Sequence, residues 1–139
     1  MTAADAALKL QRRNIGKPAR YPLAASTTIF ANTMVMLDSA GFARPAAASL
    51  ANKGVKGVAR QTAINAGSAG AEWVEVEGGE FLFNGSSLTQ AMVGSRVFAT
   101  DDNTLAATGT NRPAVGPLME FVSSSLGWVE IDADYKAPG

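Results

Sequence analysis

The sequence has no histidine and no cysteine. Without histidine the chain lacks the commonest general base, the commonest metal ligand and the side chain that titrates near neutral pH. Without cysteine neither a disulfide nor a thiolate–metal site can hold the fold. Aromatic residues make up only 7% of the chain, and much of its 47% hydrophobic content is alanine. No apolar run approaches the roughly 18 residues that a membrane-spanning helix needs. Asp5 comes early and the first Lys and Arg follow the apolar residues, so the N-terminus does not read as a secretory signal. No membrane partner is expected.

What is present reads as β-structure. The 139 residues suffice for one domain with a real core. In Trp73-Val74-Glu75-Val76-Glu77 the valines fall on one face and the glutamates on the other, the period-2 alternation of a half-buried strand. The stretch 54–83 runs from a basic, glycine-containing strand through a long Gly/Ala/Ser turn into this run, and a shorter version returns over 112–131, ending Trp128-Val129-Glu130-Ile131. Upstream, Val35-Met36-Leu37, a polar turn and Phe42-Ala43 match Val97-Phe98-Ala99, Asp101-Asp102-Asn103 and Thr104–Ala107. Aligning Trp73 with Trp128 sets Gly57 opposite Gly116. Two related β-units follow, too few for a solenoid, which needs at least about three repeats. The expected fold is all-β: a compact barrel or sandwich over 21–134, built from the two units. Its expected core includes Trp73, Val74, Val76, Phe81, Phe83, Val97, Trp128, Val129 and Ile131.

Local signals add detail. Gly78-Gly79 predicts a bulge or bend, and Asn84-Gly85 a turn. Residues Ser86–Val93 form the best helix candidate outside the N-terminus, capped by Ser86 or Ser87 and stopped by Gly94.

The zero net charge conceals a split. Residues 1–60 carry nine Lys/Arg and two acids, +7; residues 61–139 carry three and ten, −7. Such a chain meets a charged partner with one end, or meets copies of itself head to tail. Residues 1–20 differ in kind from the rest. Their start favours helix, Asn14–Pro18 breaks it, and the basic residues Lys9, Arg12, Arg13, Lys17 and Arg20 mingle with Leu8, Leu10 and Ile15. The segment is expected to be an arm that orders on a partner, with Leu8, Leu10, Arg12, Arg13, Ile15, Lys17 and Arg20 as contact residues. Basic residues without interleaved aromatics are a poor nucleic-acid signal, so direct nucleic-acid binding is not expected. Residues 135–139 are a tail.

Catalytic signals are thin. The serines and threonines have no base at hand. A Ser–Lys dyad needs a buried lysine, whereas Lys53 and Lys56 stand beside glycines. Glu72, Glu75, Glu77 and Glu80 could be drawn as a carboxylate pair, but alternation puts Glu75 and Glu77 on the solvated face. Asp101-Asp102-Asn103 lacks the remaining ligands of a calcium loop and reads as a hairpin turn. Gly54–Gly57 has neither the spacing nor the helix of a phosphate loop. Catalysis, a cofactor and a metal are therefore not expected.

The order Val97–Thr100, Asp101–Ala107, Arg112-Pro113-Ala114-Val115-Gly116-Pro117-Leu118, a small-residue turn and Trp128–Ile131 resembles the small capsid cement, or head decoration, proteins of tailed bacteriophages. Gly54–Arg60, then Trp73–Val76 and Phe81-Leu82-Phe83, resembles the same family upstream, so the likeness covers roughly 21–132. The longer basic N-terminus and the two tryptophans depart from it. The resemblance implies a compact β-barrel that trimerises on the outside of an icosahedral head, with arms reaching across neighbouring major capsid proteins, and a chain found in the host cytoplasm during assembly. The rival expectation is a non-catalytic carbohydrate-binding β module of a phage tail or surface protein, with exposed tryptophans among polar groups.

Overall fold

A computed structural model of the chain describes Ala4, Ala7 and residues 10–49 and 52–132. Thirteen strands and one 3-10 turn make up the regular structure among them. The first half holds β1 (Arg12–Arg13), β2 (Pro18–Pro22), β3 (Thr27–Ile29), β4 (Met34–Asp38), β5 (Ala43–Pro45), β6 (Asn52–Ala59), β7 (Ala63–Asn65) and β8 (Trp73–Glu77). The second holds β9 (Gly79–Ser86), the turn Gln90–Met92, β10 (Arg96–Asp101), β11 (Thr104–Ala106), β12 (Ala114–Ser123) and β13 (Leu126–Ile131).

The second unit closes on itself: β9 pairs β11, which leads through β10, β12 and β13 back to β9. This is a five-stranded barrel, with a parallel β11–β9 pairing as its seam. The first unit has the order β2-β8-β6-β4-β5. Matched strand for strand, the two orders are the same, each a hairpin (β4–β5, β10–β11), a long antiparallel partner (β6, β12) and a final strand (β8, β13) beside the opening one. Even the seam returns, as a parallel bridge between Leu23 and Ala43. Gly57 pairs Val35 and Gly116 pairs Val97, the equivalence that aligning the tryptophans implies.

Packing explains β4. Met34, Val35, Met36 and Leu37 are all buried, which a strand allows only when both its faces are covered. Val35 and Leu37 enter the first barrel's core with Leu23, Ile29, Val74 and Val76. Met34 and Met36 turn the other way and join Val55, Val58 and the second barrel's Phe81, Phe83, Leu105, Leu118 and Ile131. The barrels thus share one apolar cluster. The β4–β5 turn is held by Asp38, whose Oδ1 accepts the Ala40 and Phe42 N–H at 3.0 Å each, and whose Oδ2 accepts Arg44 Nε at 2.8 Å, an Asx turn.

The N-terminal segment departs from the sequence reading. Residues 12–22 are not a free arm. β1 pairs β9, with Arg12 opposite Phe81, and β2 pairs β8, with Pro18 opposite Glu77 and Pro22 opposite Trp73. The segment is a strap laid along the β8–β9 run and belongs to both barrels, so the boundary expected at residue 20 falls inside β2. Strap and run cross where Gly16 N–H donates to the Gly78 carbonyl at 2.9 Å. A Cβ on Gly79 would lie 3.1 Å from the Ile15 Cα and the Asn14 carbonyl oxygen. The double glycine is therefore the bend between the barrels.

Two smaller expectations also fail. Asn84-Gly85 lies inside β9, where β11 and β13 both pair it. The 86–93 helix shrinks to Gln90–Met92, because Ser86 belongs to β9 and Ser87 is left-handed at φ 56°. The tail 135–139 lies outside the described residues.

Candidate partner-binding surfaces

Of the expected contact residues, Arg12 and Arg13 lie along the protein surface against its own acids. Arg12 bonds to Glu77 and Asn32. Arg13 Nε lies 3.0 Å from a Glu80 oxygen and its Nη1 3.0 Å from one of Glu120. Leu10 packs against the shared core. Ile15 is 54% exposed, and Lys17 and Arg20 are exposed as well. Leu8 lies outside the described residues. Arg12 and Arg13 of the strap thus neutralise Glu77, Glu80 and Glu120 of the other half of the chain, and part of the charge split is matched within one molecule.

The strap also corrects two other readings. Glu77 is not solvated: it is only 7% exposed, covered where the strap crosses. The two tryptophans are not core residues. Trp73 is 49% exposed and Trp128 half-buried, because each shares the phase of the outward Glu75 or Glu130 while the adjacent valines fill the interiors. The other expected core residues, Val74, Val76, Phe81, Phe83, Val97, Val129 and Ile131, are buried. Each tryptophan carries a strap arginine instead. Arg13 lies 4.0 Å above the Trp128 ring and Arg20 5.1 Å from that of Trp73, both within cation–π range.

Trp73 edges an open hollow of about 560 Å³ on the first barrel, shared with Arg20, Gln61, Ile64, Glu72 and Glu75. Its wall is firm because Asn65, 2% exposed, anchors the long turn beside it. The Asn65 amide donates to the Ala24 carbonyl at 3.0 Å and that of Ser68 at 2.9 Å, and its Oδ1 accepts the Gly67 N–H at 3.0 Å. Ile64 is 63% exposed. On the second barrel Met119 and Val122 of β12 are exposed, beside breaks in the β12–β13 register that turn them outward. The sequence reading missed Ile64, Met119 and Val122, since an exposed apolar residue looks like a core residue until the strand's phase is known.

The carboxylates do not assemble a catalytic pair. Hydrogen bonds from Asn14 and Arg13 hold the Glu80 carboxyl below its usual range, the reverse of what a general acid requires. Asp101 Oδ1 accepts the Asn103 N–H at 2.9 Å in the hairpin turn, while Asp102 faces inward and accepts the Ala4 N–H at 2.8 Å. Burial pushes the Asp102 carboxyl up. Among the described residues no group of three or more acidic side chains is placed to hold a metal ion, and no helix is long and apolar enough to cross a membrane.

Compared with protein families, with curated proteins and with solved structures, the chain matches none of them.

Proposed function

We propose that this chain is a structural virion protein of the capsid cement class, which binds the outer surface of a phage head as a trimer and stabilises it by bridging major capsid protein subunits. The observation that carries this reading is that each barrel presents its own exposed apolar pair, Ile64 and Trp73 on one and Met119 and Val122 on the other. A bridge needs two contact faces, and a duplicated barrel supplies them on one rigid body. The resemblance in residue order to head decoration proteins supports the same reading. So does the shared core, since a clamp made of two loosely tethered barrels would give under load. Repetition over a shell makes modest contacts sufficient through avidity. Because Arg12 and Arg13 are engaged within the molecule, the barrel faces rather than those two residues make the contact.

Mixing the purified chain with undecorated heads and sedimenting the mixture tests the reading. Decorated heads should survive a heat or chelator challenge that empties bare ones. Trp73→Ser combined with Val122→Asp should abolish cosedimentation while leaving the fold intact; undiminished binding by that variant rejects these faces. Light scattering of the free chain tests the trimer.

The Trp73 hollow favours a second reading, a carbohydrate-binding module. An exposed indole beside Gln61, Glu72 and Glu75 is suited to stacking on a sugar ring while amide and carboxylates bond its hydroxyls. Glycan addition that shifts tryptophan fluorescence in the parent but not in Trp73→Ser would favour it over the capsid.

A further inference from the structure

The chain's positive charge is unevenly engaged. Arg12, Arg13, Arg44 and Arg60 each approach a carboxylate, and Arg20 lies over Trp73. Lys53, Lys56 and Arg112 do otherwise. They line an open hollow of about 460 Å³, together with Asn52, Gly54 and Phe98, where β6 of the first barrel meets β12 of the second. Among the described residues no carboxylate lines it. The Arg112 guanidinium donates to the Thr108 carbonyl and hydroxyl.

The backbone is bent to make this cluster. Lysines three apart on a regular strand point to opposite faces. Here β6 takes one residue more than β4 at two successive places: Lys56 lies between the Val35–Gly57 and Met36–Val55 rungs, and farther along Met36 pairs Val55 while Asp38 pairs Asn52. This second bulge centres on Gly54, left-handed at φ 87°, whose N–H donates to Asn52 Oδ1 at 2.9 Å. The Asn52 amide is tied in turn to the Ser49 carbonyl at 2.8 Å. With Lys56 itself an extra residue and a second bulge beside Lys53, strict alternation no longer separates the two lysines, and both line one hollow. Burial and the nearby Lys53 both press the Lys56 ammonium towards its neutral form. Gathering like charges around a half-buried site weakens the free protein, and local rules broken in this way mark sites that serve a ligand.

We propose that this hollow is a docking site for an acidic segment of a protein partner, whose carboxylates neutralise Lys53, Lys56 and Arg112 while an apolar side chain meets Phe98. A peptide fits better than a nucleic acid: the cations form one short cluster rather than a stripe along a phosphate backbone, and the chain's net charge is zero. The inference rests on the capsid reading only for the partner's identity, which would be an acidic stretch of a capsid subunit; the recognition chemistry stands without it.

The test titrates a labelled hexaglutamate peptide into the full chain at low salt, with hexalysine, inorganic phosphate and a short single-stranded DNA as comparators. Saturable, salt-sensitive binding of hexaglutamate is expected. It should weaken roughly tenfold in Lys56→Gln, fall further in Lys53→Gln/Lys56→Gln, and stay unchanged in Arg60→Gln, whose side chain lies outside the hollow. Thermal stability of Lys56→Gln should equal or exceed that of the parent, which separates lost recognition from lost fold. Equal peptide binding by the double variant overturns the proposal, as does phosphate or DNA binding as tightly as the peptide. Peptide binding without head binding sinks the capsid reading alone. Head binding by a double variant that no longer takes the peptide removes this hollow from the capsid contact alone.

Discussion

The two barrels share a strand order but not a build. The second closes through three parallel pairs, Thr104–Asn84, Leu105–Gly85 and Ala106–Ser86, around Phe81, Phe83 and a ring of aliphatic side chains. The first closes through a single bridge at Leu23 and Ala43 around smaller residues, including Ala43 and Ala59. Its β4 also lends Met34 and Met36 to the neighbour's core. One copy of a duplicated fold has kept the large core, while the other spends half of its central strand on the joint. Stability is therefore expected to be unequal between the barrels, yet to be lost in one step because the apolar cluster is shared.

The largest disturbance should come from emptying the better-filled barrel. Phe81→Ala is expected to destabilise by about 3–5 kcal/mol, with both barrels melting together by calorimetry; two separate transitions would break the picture of a shared core. The matched glycines sharpen the comparison. A Cβ on Gly116 would lie 2.0 Å from the Glu130 carbonyl oxygen at a φ of 156°, whereas one on Gly57 would lie 2.8 Å from that of Glu77. Gly116→Ala should cost about 3 kcal/mol or more and Gly57→Ala less, read from urea midpoints; the opposite ranking would deny that the second barrel is the tighter. Glu77→Gln, which leaves Arg12 without its carboxylate at the crossing, is expected to cost about 2 kcal/mol and to raise proteolysis within residues 10–20 before either barrel opens.

The smallest effect is one of pH. Glu80 and Asp38 are both held below the usual carboxylate range, Glu80 by Asn14 and Arg13, Asp38 by Arg44 and two backbone N–H groups against the opposing effect of burial. Each contributes stability that is fully present above its unfolded pKa and is lost as pH falls through the lower, folded value. Asp102, pushed up by burial, works the other way and recovers stability on acidification. The parent should thus weaken on acidification below the ordinary carboxylate range, and Glu80→Gln should flatten part of that slope. An unchanged slope in acid titrations followed by near-UV circular dichroism would remove Glu80 from the account.

Much of this was legible in the sequence, and the residues show why. The valines of β8 and the Gly57–Gly116 equivalence follow from strand alternation and repeated order, both local signals. The tryptophans were misplaced by weighing size over phase, since Trp73 stands two residues from the outward Glu75. The strap could not be read locally at all. Arg12 and Arg13 look like spare charge because Glu77 and Glu80 stand far along the chain, and only the folded strand register brings them together. For that reason the sequence offers Arg12 and Arg13 as partner contacts and gives no sign of their ion pairs within the molecule. The hollow at Lys53 and Lys56 stayed hidden because two bulges in β6, invisible in composition, break the alternation that would set the two lysines on opposite faces.

The strap also sets an order of events during synthesis. Its residues leave the ribosome before either barrel, yet Arg12 must wait for Phe81, and Pro22 for Trp73, to meet their strand partners. β9 in turn is not enclosed until β13 has emerged. The nascent chain therefore carries an unmatched cationic strap through most of the translation of its first barrel, until Glu77 and Glu80 emerge at the junction with the second.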